Sequence, residues 1–262
     1  ATVMFLAIDI GNTNITLGVF QGDTLQATWR LATDVRRMPD EYGATVVNLP
    51  PLKGVGLSVI DSAAICSGVP PLTQVFNELC ESFFNIVPLV VGAGIRTGIK
   101  VLYDSPRDVG ADRIVDSAAA FRLYGGPIVI VDFGTATVFD AVTANAEYLG
   151  GALAPGLRVA AESMVSNTSM LRRVELVAPP TAIGRNTVHA MQSGLVLGQV
   201  DMVEGMVNRF KAEVGENATV VATGGLAHLI ASQTDIFDHV SLELTLVGLR
   251  MIYEMNQDSS DG

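Results

Sequence analysis

Cysteine, lysine and positive charge are scarce in this chain, and each scarcity excludes something. The 262 residues include two cysteines, Cys66 and Cys80, with apolar sequence neighbours, no CxxC spacing and no histidine cluster. A disulfide scaffold and a zinc ribbon are thereby excluded, and reduced core cysteines in a cytoplasmic protein are the expectation. Lysine occurs only at Lys53, Lys100 and Lys211, none of them behind a suitable glycine loop. With no G-x-x-x-x-G-K-[ST], this is not a P-loop enzyme. Lys plus Arg total 16 against 27 Asp plus Glu, a net charge of -11. Such a chain repels nucleic acid and anionic membrane, so neither is expected as a partner. No apolar run reaches the roughly 18 residues that would span a bilayer. His189, His228 and His239 lack metal-ligand spacing. The segment Gly92-Ala93-Gly94-Ile95-Arg96-Thr97-Gly98 approaches a dinucleotide fingerprint, but its last glycine falls one place late.

What the chain does have is apolar content, 49% hydrophobic against 16% charged, ample for one large domain or two lobes. The opening ATVMFLAIDIGNT carries no basic segment and reads as a first strand, not a signal peptide. Strand-like runs at residues 4–8 and 127–131 each end in Asp and a glycine turn. The turns are Asp9-Ile10-Gly11-Asn12-Thr13 and Asp132-Phe133-Gly134-Thr135-Ala136, and second β-like runs follow at 15–20 and 137–142. The pattern recurs after 123 residues, which predicts two similar lobes, 1–118 and 119–262. Helical periodicity appears at 71–84, 112–124, 160–167, 187–214 and 246–255, with a strand at 219–222 running into Thr223-Gly224-Gly225. Alternating strands and helices predict an α/β fold. The tail QDSSDG is polar and expected to fray.

A strand ending in Asp, with Gly two residues later, sets a carboxylate beside a turn whose backbone N–H groups a phosphate can approach. Asp repels phosphate, so it would act through a bound cation or its water. One such turn alone is an ordinary hairpin; two, plus the later Thr-Gly-Gly turn, suit a nucleotide in a cleft between lobes. Gly110-Ala111-Asp112-Arg113 places an Asp where a helix should start. It is either a helix-capping carboxylate or a general base with Arg113 steering an anionic substrate, and spacing leaves both open.

Six segments, in order, resemble the type III pantothenate kinases of the acetate/sugar-kinase, Hsp70 and actin superfamily. They are DIGNTNITLG from Asp9, RLATDVRRMPDEY from Arg30, DSPRDVGADR from Asp104, DFGTATVFD from Asp132, GGALAPG from Gly150 and TGGLA from Thr223. They span nearly the whole chain, and DxGNT, GADR and DxGTA together are highly specific. The resemblance implies duplicated ribonuclease-H-like (actin-like ATPase) lobes with a nucleotide cleft between them, working as a homodimer. It implies ATP-dependent phosphorylation of pantothenate to 4′-phosphopantothenate, the first step of coenzyme A biosynthesis, with Mg2+ and a monovalent cation, K+ or NH4+.

Carried over by motif, Asp9, Ile10, Gly11, Asn12, Thr13, Asn14, Ile15 and Thr16 would bind nucleotide, with Thr135. Asp112 would accept the proton. Tyr103, Gly110, Ala111, Asp112, Arg113 and Thr187 would bind pantothenate, and Asp132 would hold the monovalent cation. The chain departs from the family pattern at Asn167, at Arg172 in Thr168-Ser169-Met170-Leu171-Arg172, and at Cys66-Ser67-Gly68-Val69-Pro70. The rival readings are another kinase or phosphohydrolase of the superfamily, which the GADR segment disfavours, and a nucleotide-gated regulator or actin-like assembly protein.

Overall fold

A computed structural model of the chain describes residues 3–56 and 60–257. Of the tail QDSSDG, Gln257 is the last residue of a helix and residues 258–262 lie outside the described residues. The elements run in the order β1 (Met4–Ile10), β2 (Asn14–Gln21), β3 (Thr24–Ala32), α1 (Pro39–Leu52), β4 (Ile60–Ser67), α2 (Pro70–Leu79), β5 (Leu89–Val90), β6 (Lys100–Val101), α3 (Ala111–Tyr124), β7 (Ile128–Phe133), β8 (Ala136–Val142), β9 (Glu147–Pro155), α4 (Leu157–Ser166), α5 (Thr187–Gln192), α6 (Gly198–Val214), β10 (Thr219–Thr223), α7 (Ala227–Ala231), β11 (His239–Val240) and α8 (Leu244–Gln257). A π turn, Cys80–Phe84, continues α2, and another, Ser193–Leu197, joins α5 to α6.

Two compact units divide the chain. The first takes residues up to Gly98, Ser105–Ala119 and the chain from Thr245 onward; the second takes Ile99–Asp104 and Ala120–Leu244. Each holds one sheet. In the first unit the strand order is β3-β2-β1-β4-β5, and in the second β11-β10-β7-β8-β9-β6. Read from the other edge, the second sheet repeats the first and adds β6. In both, three antiparallel strands are followed by two parallel ones. The duplicated hairpins of the sequence are thus β1–β2 and β7–β8.

In the first unit, alternate residues of β1 part the two faces of the sheet. Leu6, Ile8 and Ile10 join Tyr42 and Val46 of α1 and Leu72 and Phe76 of α2 in one buried core. Each such side chain, fully buried, contributes about 1.5–3 kcal/mol. The residues between them face the other way, where the Phe5 ring meets Tyr253 of α8, centroids 5.0 Å apart. There α8 packs on α3, with Gly248 against Val115 and Ala119. Asp9 belongs to this second face. In the second unit, Val129, Val131, Phe133 and Phe139 pack with Val200, Val203 and Val207 of α6. Alternation sends Asp132 to the face away from that core, as it does Asp9.

The helix stops are those expected. Gly125 (φ +76°) ends α3, its N–H bonded to Phe121 O at 2.8 Å, and Gly215 (φ +138°) ends α6. Among the described residues, no helix is long and apolar enough to cross a membrane.

Candidate active site

The first turn is built on β1. Asp9 pairs with Thr16 across the hairpin and with Cys66 on the parallel strand β4. The Gly11 N–H closes the turn on Asn14 O at 3.0 Å. Neighbouring elements tie its carbonyls back: Thr33 Oγ1 donates to Gly11 O at 2.7 Å, Thr33 N to Thr13 O at 3.1 Å, and Gly68 N to Ile10 O at 2.9 Å. Asn12, Thr13 and Asn14 project as the exposed tip, while Ile15 is buried in the core. The loop is therefore braced from β3 and β4, and its polar tip faces solvent.

Asp112 is the second residue of α3 and is half-buried. Its Oδ1 accepts the backbone N–H of Arg113 at 2.9 Å. Gly110 explains how the carboxylate can fold back so far: a Cβ at position 110 would stand 2.5 Å from Asp112 Oδ1. The G-A-D order is thus a steric requirement of this carboxylate's position. Asp112 does bond a first-turn N–H, so the capping reading describes one of its oxygens.

The Cys66 thiol shows what surrounds it. It is fully buried, and its pKa lies well above the ordinary thiol value, first through burial and then through the negative charges of Asp9, Asp112 and Asp116. Asp9 of β1, its cross-strand partner, and Asp112 and Asp116 of α3 all lie close enough for their charges to act on it. Cys66 is a core cysteine, as expected, but it feels three carboxylates, although its sequence neighbours are apolar. Cys80 is free and buried as well, its pKa pushed up to about 12 by burial and by Glu81. Sequence reasoning missed Asp116. It is 5% exposed and accepts the Thr245 hydroxyl of α8 at 2.6 Å. Its signal was the i, i+4 spacing from Asp112, which puts both carboxylates on one side of α3.

The second unit repeats the turn with different fittings. Asp132 of β7 pairs with Val138 on β8 and Thr223 on β10. The turn closes by Gly134 N to Ala136 O at 3.1 Å, and the Gly156 N–H holds Thr135 O at 3.1 Å. Gly224 (φ +90°) arches over it. A Cβ there would overlap Asp132 Oδ1 and stand 2.7 Å from the Phe133 backbone N and C. Asp132 therefore lies between the Gly134 and Thr223-Gly224 turns, and Thr135 is exposed at the tip.

Tyr103, in the loop after β6, and Thr187 also belong to this second unit. The Tyr103 ring lies against Gly150, its centroid 6.2 Å from that of Tyr148. Thr187 opens α5, whose N-cap Asn186 accepts the His189 N–H at 2.9 Å. Among the described residues, no group of three or more His, Cys, Asp or Glu is arranged to hold a metal ion.

A braced Asp-Gly turn thus recurs in each of the two repeated sheets, and the charges of Asp9 and Asp112 both act on the Cys66 thiol. The family model of type III pantothenate kinase matches residues 5–209. The chain belongs to that family. It is 51% identical over 254 residues to the type III pantothenate kinase of Roseiflexus sp. (strain RS-1), covering 97% of this chain and 100% of that one. It is 49% identical over 257 residues to the type III pantothenate kinase of Dehalococcoides mccartyi (strain ATCC BAA-2100), covering 98% of each. Among solved structures, a conserved Campylobacter jejuni protein described as a Baf family transcriptional activator aligns over 97% of this chain and 99% of its own. The TM-score is 0.60 at 18% identity, a likeness of fold alone. With the repeated strand order, these matches make the fold an actin-like α/β fold of two ribonuclease-H-like units.

Proposed function

We propose that Asp112 is the proton acceptor of a pantothenate kinase, in which the γ-phosphoryl of ATP passes to the primary hydroxyl of pantothenate. The product is 4′-phosphopantothenate, and the step opens coenzyme A biosynthesis. The observation that carries the base assignment is the placement of Asp112. Its carboxylate is held by the Arg113 N–H over Gly110, with Asp9 of the first turn nearby. Phosphoryl transfer asks for positioning and charge neutralisation more than covalent chemistry, and turns and carboxylates are what these residues offer.

In this reading the turn of residues 9–16 and Thr135 contact ATP through backbone N–H groups and exposed polar side chains, while the buried side chains of Ile10 and Ile15 anchor the turn in the core and do not reach the ligand. Tyr103, Gly110, Ala111, Arg113 and Thr187 hold pantothenate, with the Arg113 guanidinium drawing its carboxylate towards the base. Asp9 is too negative to face phosphate unaided and acts through Mg2+ or its water; the ion, when bound, offsets charge on the phosphates. Asp132 holds a monovalent cation. One carboxylate between glycine turns suits a weakly held alkali ion better than a cage of several anionic ligands would. A coupled assay of ADP release over pantothenate and several sugars tests the reading. Turnover is expected with pantothenate alone; equal ADP release with no acceptor would favour a nucleotide-gated regulator.

Two further outcomes follow. Activity should require potassium or ammonium, with sodium a poor substitute, and Asp132→Asn should weaken both the dependence and the rate; equal rates of the unmutated protein in sodium and potassium would refute the cation assignment. The protein should be a homodimer, so light scattering at micromolar concentration should give about twice 27.6 kDa. A fully active monomer would exclude this assembly.

A further inference from the structure

Inside the core of the second unit, the internal duplication exposes a polar pair where the first unit is apolar. Ile10 pairs with Ile15 across the first hairpin, and Phe133 with Thr137 across the second. Thr137 therefore stands where the first unit has Ile15, a side chain with 0% exposure in its core. Thr137 is 1% exposed, and its Oγ1 accepts the amide N–H of Gln199, itself 8% exposed, at 2.6 Å. Around them the core of the second unit is Val, Phe and Leu. A buried hydrogen bond is worth about 0.5–1.5 kcal/mol net, and an apolar pair of the same shape is as stable or more so. Stability alone does not call for this pair.

What a hydrogen bond supplies and an apolar contact does not is register. Gln199 lies at the start of α6, which continues α5 through the π turn Ser193–Leu197. A π turn holds an extra residue and resets the alignment of everything beyond it. The core-facing residues are apolar before the turn (Met191), within it (Leu195, Val196) and beyond it (Val200, Val203), and apolar contacts carry no directional preference that would fix the helix along its axis. Thr137 lies two residues beyond Thr135, and Thr187 begins the helix that Gln199 continues.

We infer that Gln199 and Thr137 are a positioning pair, which holds the helix bearing Thr187 in register with the turn bearing Thr135. The inference rests on the assignment of those two residues to pantothenate and ATP. Neither Gln199 nor Thr137 touches substrate; they act through the elements they join.

The test is the double variant Thr137→Val/Gln199→Met, which removes both polar groups and keeps their shapes. Its melting temperature should stay within a few degrees of the unmutated protein, while kcat/KM for pantothenate falls about 10- to 100-fold, as misplaced reactants require. Gln199→Met alone, assayed below its own melting temperature, should show the same kinetic loss. Thr137→Ser keeps the hydroxyl and should restore most of the activity lost in Thr137→Val. A purely structural pair would leave kcat/KM of the folded double variant untouched. Either folded variant retaining full kcat/KM would overturn the inference. Absence of pantothenate-dependent turnover in the unmutated protein would instead overturn the functional reading beneath it.

Discussion

Asp112→Asn is expected to fold, to bind ATP, and to lose kcat by a factor on the order of 10² to 10⁴. The structure sharpens the reason. One carboxylate oxygen accepts the Arg113 N–H at 2.9 Å, and an asparagine amide oxygen can accept the same bond. The first turn of α3 therefore keeps its bond, and Asn serves about as well as Asp near a helix start. Side-chain volume is conserved as well, so the place over Gly110 remains filled. Only the ability to take a proton disappears. If Asp112 were no more than a first-turn bonding group, the variant would keep most of its kcat. Thermal melting beside kcat for the same preparation separates the two, because a variant that lost activity by unfolding would show it in the melt.

Gly224→Ala is expected to be strongly destabilising in the second unit. At φ +90° the backbone is in a region that residues with a Cβ seldom enter, and the strain costs on the order of 1–3 kcal/mol. The new Cβ would also overlap Asp132 Oδ1 and press on the Phe133 backbone. Backbone cannot yield as a flexible side chain does, and overpacking of this kind adds roughly another 1–3 kcal/mol. For a chain of this size the sum corresponds to a melting temperature lower by about 5–15 °C. Because the displaced atom belongs to Asp132, activity at saturating ATP should fall at least tenfold even well below the melt, and the potassium requirement should rise. A Gly224→Ala protein with unmutated activity and melting temperature would show that this turn does not shape the Asp132 site.

Much of this was legible in the sequence because the informative features are local. Asp followed two residues later by Gly, after an apolar run, specifies a strand and a tight turn within five residues, and its repetition after 123 residues announced the duplicated sheet. The same holds for α3, whose Gly125 stop and Asp112 start are both adjacent to the helix they bound. The rest depends on partners far along the chain. Asp116 shares a side of α3 with Asp112, but its bond to Thr245, 129 residues away, is not visible along the chain. The 246–255 periodicity predicts a helix, but nothing in it says that α8 packs beside α3 and β1. Helix α1 was hidden by Pro50 and Pro51, which fall in its last turn, where they end the helix rather than forbid it. Strands β3, β4, β5, β6, β9 and β11 and helix α7 fall outside the runs that read as elements in the sequence, and Gln199 gives no signal because its meaning lies in the residue it faces.

This chain is expected to move a phosphoryl group to pantothenate and not merely to water. Phosphorus NMR of a reaction holding ATP, magnesium, potassium and pantothenate tests it directly. A new phosphomonoester should appear, coupled to the protons of the pantothenate primary alcohol and formed one for one with ADP, and it should be missing with Asp112→Asn. Inorganic phosphate as the only new signal, at a rate indifferent to pantothenate, would contradict the account.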